Sequence, residues 1–338
     1  MNNDSNYKST TDFVAFVESE AAAKLSEFKL HTGRHYNTAK RRLKDYLLTK
    51  GMTTLSRDQM TPEFFLAFEA YLLQTRSRET SSAYMRSLHA CYCRFVGEEK
   101  PADDPFGGVY RGVGQTKKRN LSEEGGQKVS TLDIEEALRA EDTAQERSDA
   151  DIAAEARRLQ WALDLFIISL GMQGISFVDL AFLCNDCFSA GRVEYHRHKT
   201  GKPVCVVLGS EVEELVSKYR TEGTYAFSFI TDGSDEVTAF RQYVNGYARY
   251  NRALRRLGQL AGLEAPLTTY VARHTWASYA YQKDLPIQLM GKALGHSSLR
   301  STSIYIEYFD SKRILSVSTD LVERIMPKGG LQAGNQAE

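Results

Sequence analysis

Residues 97–128 carry no sustained hydrophobic period, and that break constrains the fold more than any other feature of the chain. The stretch GEEKPADDPFGGVYRGVGQTKKRN mixes Gly and Pro with charge and carries three consecutive bases, Lys117, Lys118 and Arg119. Glycine and proline at this density punctuate structure instead of continuing it. A chain of 338 residues is also too long for one ordinary compact domain. The expected organisation is a first unit over 10–100, a linker over 101–128 and a second unit over 129–325, with 1–9 and 326–338 as flexible ends. The linker's length and bases suit a strap crossing a groove, and they suit a plain flexible tether equally.

On either side of the break the reading is mainly helical. Residues 11–29 mix apolar and charged residues, and 34–49 place Tyr36, Leu43, Tyr46 and Leu47 near helical spacing. Thr61 and Pro62 form a helix start leading into EFFLAFEAYLL, and 79–96 give a fourth helix. In the second unit Ser130 or Thr131 is placed to cap a helix through EEALRA, and Arg158–Leu170 reads as a buried helix. Residues 192–198 and 203–208 are β-prone and flank Lys199-Thr200-Gly201-Lys202, which predicts a hairpin with Gly201 in its tight turn. Helices resume at about 211–220, 238–261, 273–283 and 286–294. The fold class is thus mainly α with one small β-hairpin or sheet.

With 42% hydrophobic and 25% charged residues, both units can bury a core. The N-terminal MNNDSNYKST is not a signal peptide, and no run reaches about 18 uninterrupted apolar residues, which argues against a membrane partner. WALDLFIISLGM is broken by Asp164 and reads as a core helix. Five cysteines without a regular framework fit free thiols in a reducing, cytoplasmic compartment. Cys184 and Cys187 have the spacing of half a zinc site, but no second pair completes it, so no metal is expected.

Net charge is zero, but its distribution is uneven. Arg34, Lys40, Arg41, Arg42 and Lys44 lie in a run without an acid, as do Arg241, Arg249, Arg252, Arg255 and Arg256 within 237–263. Residues 121–160 balance them with eleven acids against five bases. Such clusters mark either a polyanion-binding face or ordinary solvated helix faces. Arg249, Arg252 and Arg256, at i, i+3 and i+7, share one helix face.

The C-terminal third carries a more specific signal. Leu294-Gly295-His296 is followed nine residues later by Tyr305, and Tyr270-Val271-Ala272-Arg273-His274-Thr275 lies upstream. In these motifs, and in the hairpin Lys199, the second unit resembles the catalytic domain of the tyrosine recombinases, the phage-integrase family, and most of all the integrases of conjugative transposons and related mobile elements. The N-terminal helices, with YMRSLHACYCRF as the last, are similar to the family's SAM-like core-binding domain. The resemblance covers roughly 10–325 and implies that Arg273 and His296 hold a scissile phosphate, that Lys199 is the general acid and that Tyr305 attacks. It further implies double-stranded DNA as substrate, four protomers on two duplexes, DNA-bending accessory proteins, and residence on the nucleoid when bound. The tail SKRILSVSTDLVERI, with Ile314, Leu321 and Ile325 on one stripe, would dock on a neighbouring protomer or pack on its own domain.

The chemistry requires residues of these types. A tyrosine hydroxyl with a pKa near 10 is ionised in about one molecule in a thousand at pH 7. Charge developing on phosphate oxygens asks for guanidinium and imidazole donors, and the leaving oxygen needs a proton. A covalent phosphotyrosyl link conserves the bond energy, so neither ATP nor another cofactor is expected.

Two positions depart from the family pattern. Gly174-Ile175-Ser176-Phe177-Val178-Asp179-Leu180 matches Gly-x-Arg-x-x-Glu-Leu, so Ser176 stands where the first catalytic arginine is expected, and shifting the frame by three gives Gln173. Tyr270 occupies the first position of His-x-x-Arg. Alternation along a strand would put Arg197 beside Lys199, where it either supplies the missing guanidinium or is an exposed strand arginine. The reading is a recombinase that cleaves and rejoins DNA through a 3′-phosphotyrosyl intermediate for integration, excision or inversion. The alternatives are a non-cleaving DNA-binding accessory or regulatory protein and a type IB topoisomerase-like enzyme.

Overall fold

A computed structural model describes residues 11–26, 30–98, 103–112, 120–142, 146–298 and 301–302. The chain divides into two compact units, one ending at Lys117 and the other starting at Lys118.

In the first unit α1 (Phe13–Ser26), α2 (Leu30–Thr49), α3 (Pro62–Leu73) and α4 (Arg78–Val96) enclose a core that includes Phe13, Leu43, Phe65, Phe68 and Leu88, each 0% exposed. Thr61 caps α3 as expected, its side chain accepting the Phe64 N–H at 3.2 Å ahead of Pro62. The core does not end with α4. Phe106 is fully buried and its ring stacks on Phe65 with centroids 3.8 Å apart, while Val109 is 6% exposed. Residues 103–112, read from sequence as linker, therefore fold back onto this unit. One aromatic among glycines and prolines is enough to anchor them without leaving any period.

The second unit differs from expectation at its start. Glu123–Ser130, read as linker up to residue 128, is a helix, α5, capped by Ser122. The helix through EEALRA is α6 (Ile134–Glu141), and its cap is Asp133, not Ser130 or Thr131, which end α5. The Asp133 carboxylate accepts the Glu136 N–H at 2.9 Å. The buried helix, α7 (Asp149–Gly171), starts well before Arg158, because Ser148 caps it and its opening turns bury only one face, through Ile152. Asp164 is tolerated in that core because its carboxylate accepts from Gln160 at 2.6 Å, Lys218 at 2.7 Å and the Tyr219 hydroxyl at 2.6 Å.

A short α8 (Phe177–Ala181) leads into a three-stranded antiparallel sheet, β1 (Phe188–Ser189), β2 (Arg192–His196) and β3 (Pro203–Val207), in that spatial order. The pairing Tyr195↔Val204 and Glu194↔Cys205 gives strict alternation: Val193, Tyr195, Val204 and Val206 face the core. Two-residue β1 was too short to leave a sequence signal. Then come α9 (Ser210–Tyr219), α10 (Glu236–Leu260), α11 (Thr269–Gln282) and α12 (Ile287–Ala293). α6, α9, α10 and α11 pack on α7, and α12 lies against α11 and β3. Among the described residues no helix is long and apolar enough to cross a membrane. All five cysteines are free, and burial raises the thiols of Cys184 and Cys187.

Candidate active site

Four segments far apart in sequence meet around the turn that ends α12. Gly295 adopts φ +60°, which lets the chain reverse; an added Cβ there would stand 2.9 Å from Arg197 Cδ and 2.9 Å from Val204 Cγ2. The turn's carbonyls are the fixed points of the site. Leu294 O accepts from Arg273 Nη2, and Gly295 O accepts from Arg197 Nη1 at 3.1 Å and Thr200 Oγ1 at 2.9 Å.

Arg273 projects from the second turn of α11 and is 2% exposed. Its Nη1 donates to Gly174 O at 2.9 Å, its Nη2 contacts His296 Nε2 at 3.2 Å, and its buried Nε has no hydrogen-bond partner among the described residues. Gly174 has φ +69°, and a Cβ would come within 2.6 Å of Arg273 Cα, so only glycine permits this approach. The glycine of the Gly-x-Arg-like motif thus remains structurally necessary although the arginine is absent.

Ser176 does not replace that arginine. Its hydroxyl lies 2.6 Å from Asp179 Oδ2, and Asp179 Oδ1 accepts the His198 N–H at 2.7 Å. Asp179 therefore braces the start of the hairpin turn, and Arg197 Nε lies 3.8 Å from the same carboxylate. The reason given from sequence for Arg197 needs correction. β2 ends at His196; Arg197 opens the turn, its N–H donating to Lys202 O at 2.8 Å, and its side chain is 6% exposed, whereas Lys199 is exposed. Strand alternation does not pair them. Arg197 continues the alternation of buried Val193 and Tyr195 and faces inward, whereas the turn breaks it and leaves Lys199 on the solvent side. Gly201, at φ +64°, makes that turn as expected.

His296 is half-buried. Burial first, then the charges of Arg273, Arg197 and Lys199, push its pKa from 6.5 down to about 4. Its Nδ1 lies 2.9 Å from the hydroxyl of fully buried Thr302. Tyr270 lies one turn before Arg273 on α11, 42% exposed, with its ring 5.7 Å from that of His274. Tyr305 lies outside the described residues, as do Lys117, Lys118, Arg119, Ile314, Leu321 and Ile325.

The basic runs are partly committed within their own units. On α2, Lys40 and Lys44 pair with Glu18 of α1 at 2.6 and 3.6 Å, and Arg42 with Asp45 at 3.0 Å. Arg41 and Arg34 are exposed, and Arg34 lines a groove of about 480 Å³ between α2 and α4 with His31, His35, Thr38, Thr80 and Tyr84. On α10 the expected triad is split: Arg256 is held by Glu141 and Glu155, Arg249 lies over the Trp161 ring at 5.1 Å, and Arg252 is exposed.

Two family models match this architecture: the phage integrase SAM-like domain over 12–107 and the phage integrase family over 168–312, together more than half of the chain. The chain belongs to the phage integrase family, the tyrosine recombinases. A curated tyrosine recombinase of Pseudothermotoga lettingae is 27% identical over 78 residues, spanning 23% of this chain and 26% of that protein. Among solved structures, the fold is similar to the Tn1549 transposon integrase in complex with transposon right-end DNA (14% identity, TM-score 0.58, 93% of this chain and 99% of that chain). It is also similar to a lambda integrase dimer bound to a core site (13%, TM-score 0.57, 88% and 78%). A post-cleavage complex of XerH recombinase on a palindromic difH substrate gives 15%, TM-score 0.57, 93% and 98%. In this integrase the sequence had not singled out Gly174, Thr200 or Thr302. Positive φ and a carbonyl acceptor leave no pattern in a single chain.

Proposed function

We propose that this integrase is a site-specific DNA recombinase acting through a 3′-phosphotyrosyl intermediate for a mobile element, whether in integration, excision or inversion. One observation carries the reading: the buried guanidiniums of Arg273 and Arg197 meet the His296 imidazole at the Leu294–His296 turn, with Lys199 exposed on the same hairpin turn as Arg197 and the Asp179 carboxylate 3.8 Å from Arg197. Two buried guanidiniums beside one carboxylate call for an anion. A phosphodiester supplies it, and the attacking hydroxyl is Tyr305, nine residues beyond His296.

In this reading Arg273, Arg197 and His296 hold the non-bridging oxygens, and Lys199 protonates the leaving oxygen. Tyr270 offers a hydroxyl donor without positive charge near neutral pH. Double-stranded DNA is the substrate, Arg34, Arg41, Arg249 and Arg252 position its backbone, and four protomers assemble on two duplexes through their C-terminal segments, with DNA-bending proteins as accessory partners. A nicked suicide substrate tests it: a denaturation-resistant protein–DNA adduct that disappears in Tyr305→Phe is expected. Ser176, whose hydroxyl is spent on Asp179, favours a second reading, a DNA-binding accessory protein that does not cut. Footprinted binding without any adduct would establish that reading and overturn the first.

A further inference from the structure

The imidazole of His296 has two nitrogens with different neighbours, and those neighbours fix where its proton sits. Nε2 faces Arg273 Nη2 at 3.2 Å. A guanidinium only donates, so Nε2 must offer a lone pair. The proton of the neutral ring is then on Nδ1, which points at Thr302 Oγ1 at 2.9 Å. Thr302 is completely buried, so no water competes for that nitrogen from its side. Among the described residues, the charges that act on the ring come from Arg273 on α11 and from Arg197 and Lys199 on the hairpin turn, and none of these three can accept its proton.

We infer that Thr302 is a positioning residue, which locks His296 in the Nδ1–H tautomer and so presents Nε2 to the phosphate held by Arg273. The inference rests on the recombinase reading only for the identity of that phosphate. When the anion arrives, Nε2 takes a proton from solvent and donates it as a hydrogen bond to a non-bridging oxygen. Nδ1–H stays on Thr302 throughout, because a hydroxyl oxygen accepts from imidazole and imidazolium alike. Without the acceptor, Nδ1–H is buried unpaired, and the preference for that tautomer over the Nε2–H form, which would face an Arg273 N–H, shrinks by about the worth of that hydrogen bond. Thr302 also precedes Tyr305 by three residues, so one contact ties the phosphate-binding ring to the segment carrying the nucleophile.

The test is the nitrogen NMR spectrum of the histidine rings in the full chain at neutral pH, with His296→Gln assigning the signal among seven histidines. The expected result is the Nδ1–H form in the native protein, retained in Thr302→Ser and lost or mixed in Thr302→Val. Adduct formation on the suicide substrate should fall about 10- to 100-fold in Thr302→Val, the range for one buried hydrogen bond removed, and recover in Thr302→Ser. A native His296 protonated on Nε2, or native-rate cleavage by Thr302→Val, would overturn the inference. If Thr302→Val does not fold, the native tautomer and Thr302→Ser decide. Absence of any adduct in the native protein would count against the recombinase reading alone, since the tautomer is read without DNA.

Discussion

Removing Arg197 should separate catalysis from stability in this integrase, because the structure leaves its partners covered. In Arg197→Ala the Gly295 carbonyl loses one donor but keeps Thr200 Oγ1 at 2.9 Å. Asp179 loses a cation 3.8 Å away but keeps the Ser176 hydroxyl at 2.6 Å and the His198 N–H at 2.7 Å. The expected loss of stability is therefore about 1–2 kcal/mol, the scale of one net hydrogen bond plus modest packing. Catalysis should suffer more. Loss of one transition-state donor costs about 10²- to 10³-fold, or roughly 3–4 kcal/mol of barrier. His296 also loses one of its cationic neighbours, so its pKa should rise from about 4. The assay pairs single-turnover adduct formation on a suicide duplex with a denaturant midpoint for the same preparation. Cleavage within about threefold of native, at any stability, would refute the claim that Arg197 replaces the guanidinium absent at Ser176.

Gly174→Ala forces a side chain to 2.6 Å from Arg273 Cα at φ +69°, and a loss of about 2–4 kcal/mol in chemical denaturation is expected, with cleavage abolished. Phe106→Ala should cost the first unit about 3–5 kcal/mol, visible as a lower melting midpoint, because its ring is fully buried against Phe65; a value under about 1 kcal/mol would return residues 103–112 to the linker. His296 is harder to protonate folded than unfolded, so its contribution to stability is complete above pH 6.5 and shrinks as pH falls from there toward about 4. The native protein should lose melting temperature over that window faster than His296→Gln, which shares all the carboxylates titrating alongside. Asp164→Ala strands Gln160, Lys218 and Tyr219 around a cavity and should destabilise the second unit by about 2–4 kcal/mol in urea.

What the sequence disclosed and what it hid follow from how each feature is encoded. Thr61-Pro62 and the Lys199–Lys202 hairpin are contiguous patterns and stand where expected, and Arg273 and His296, 23 residues apart, lie 3.2 Å from each other. Phe106 was hidden because a single buried ring has no periodicity, and the opening of α7 because its outer turns are charged. Arg197 shows a different failure. Alternation places Arg197 on the buried face with Val193 and Tyr195, but it does not extend through the turn, so Lys199 is exposed and not beside it. Arg256 looked available for phosphate because its carboxylate partners, Glu141 and Glu155, lie on α6 and α7, more than a hundred residues away. Charge runs in sequence count cations but cannot show which are already neutralised.

The same geometry shows where cationic charge stands in a chain with serine at the expected arginine. An arginine at 176 would approach from α8 and need a carbonyl or carboxylate to orient it. In this chain Asp179, one turn further on, is turned to the hairpin and fixes it through the His198 N–H. The hairpin in turn spends Arg197 Nη1 and Thr200 Oγ1 on one carbonyl, Gly295 O, adjacent to the carbonyl that holds Arg273. Cationic charge reaches the site from the hairpin and from α11 instead of from α8, with its orientation set by two successive carbonyls of one turn. A guanidinium held by backbone acceptors keeps its full charge for an incoming anion, whereas one held by a carboxylate is already neutralised. Arg256, bound by two carboxylates, is the contrast within the same unit: Arg273 donates to two backbone carbonyls, and Arg197 donates to one, with Asp179 3.8 Å away.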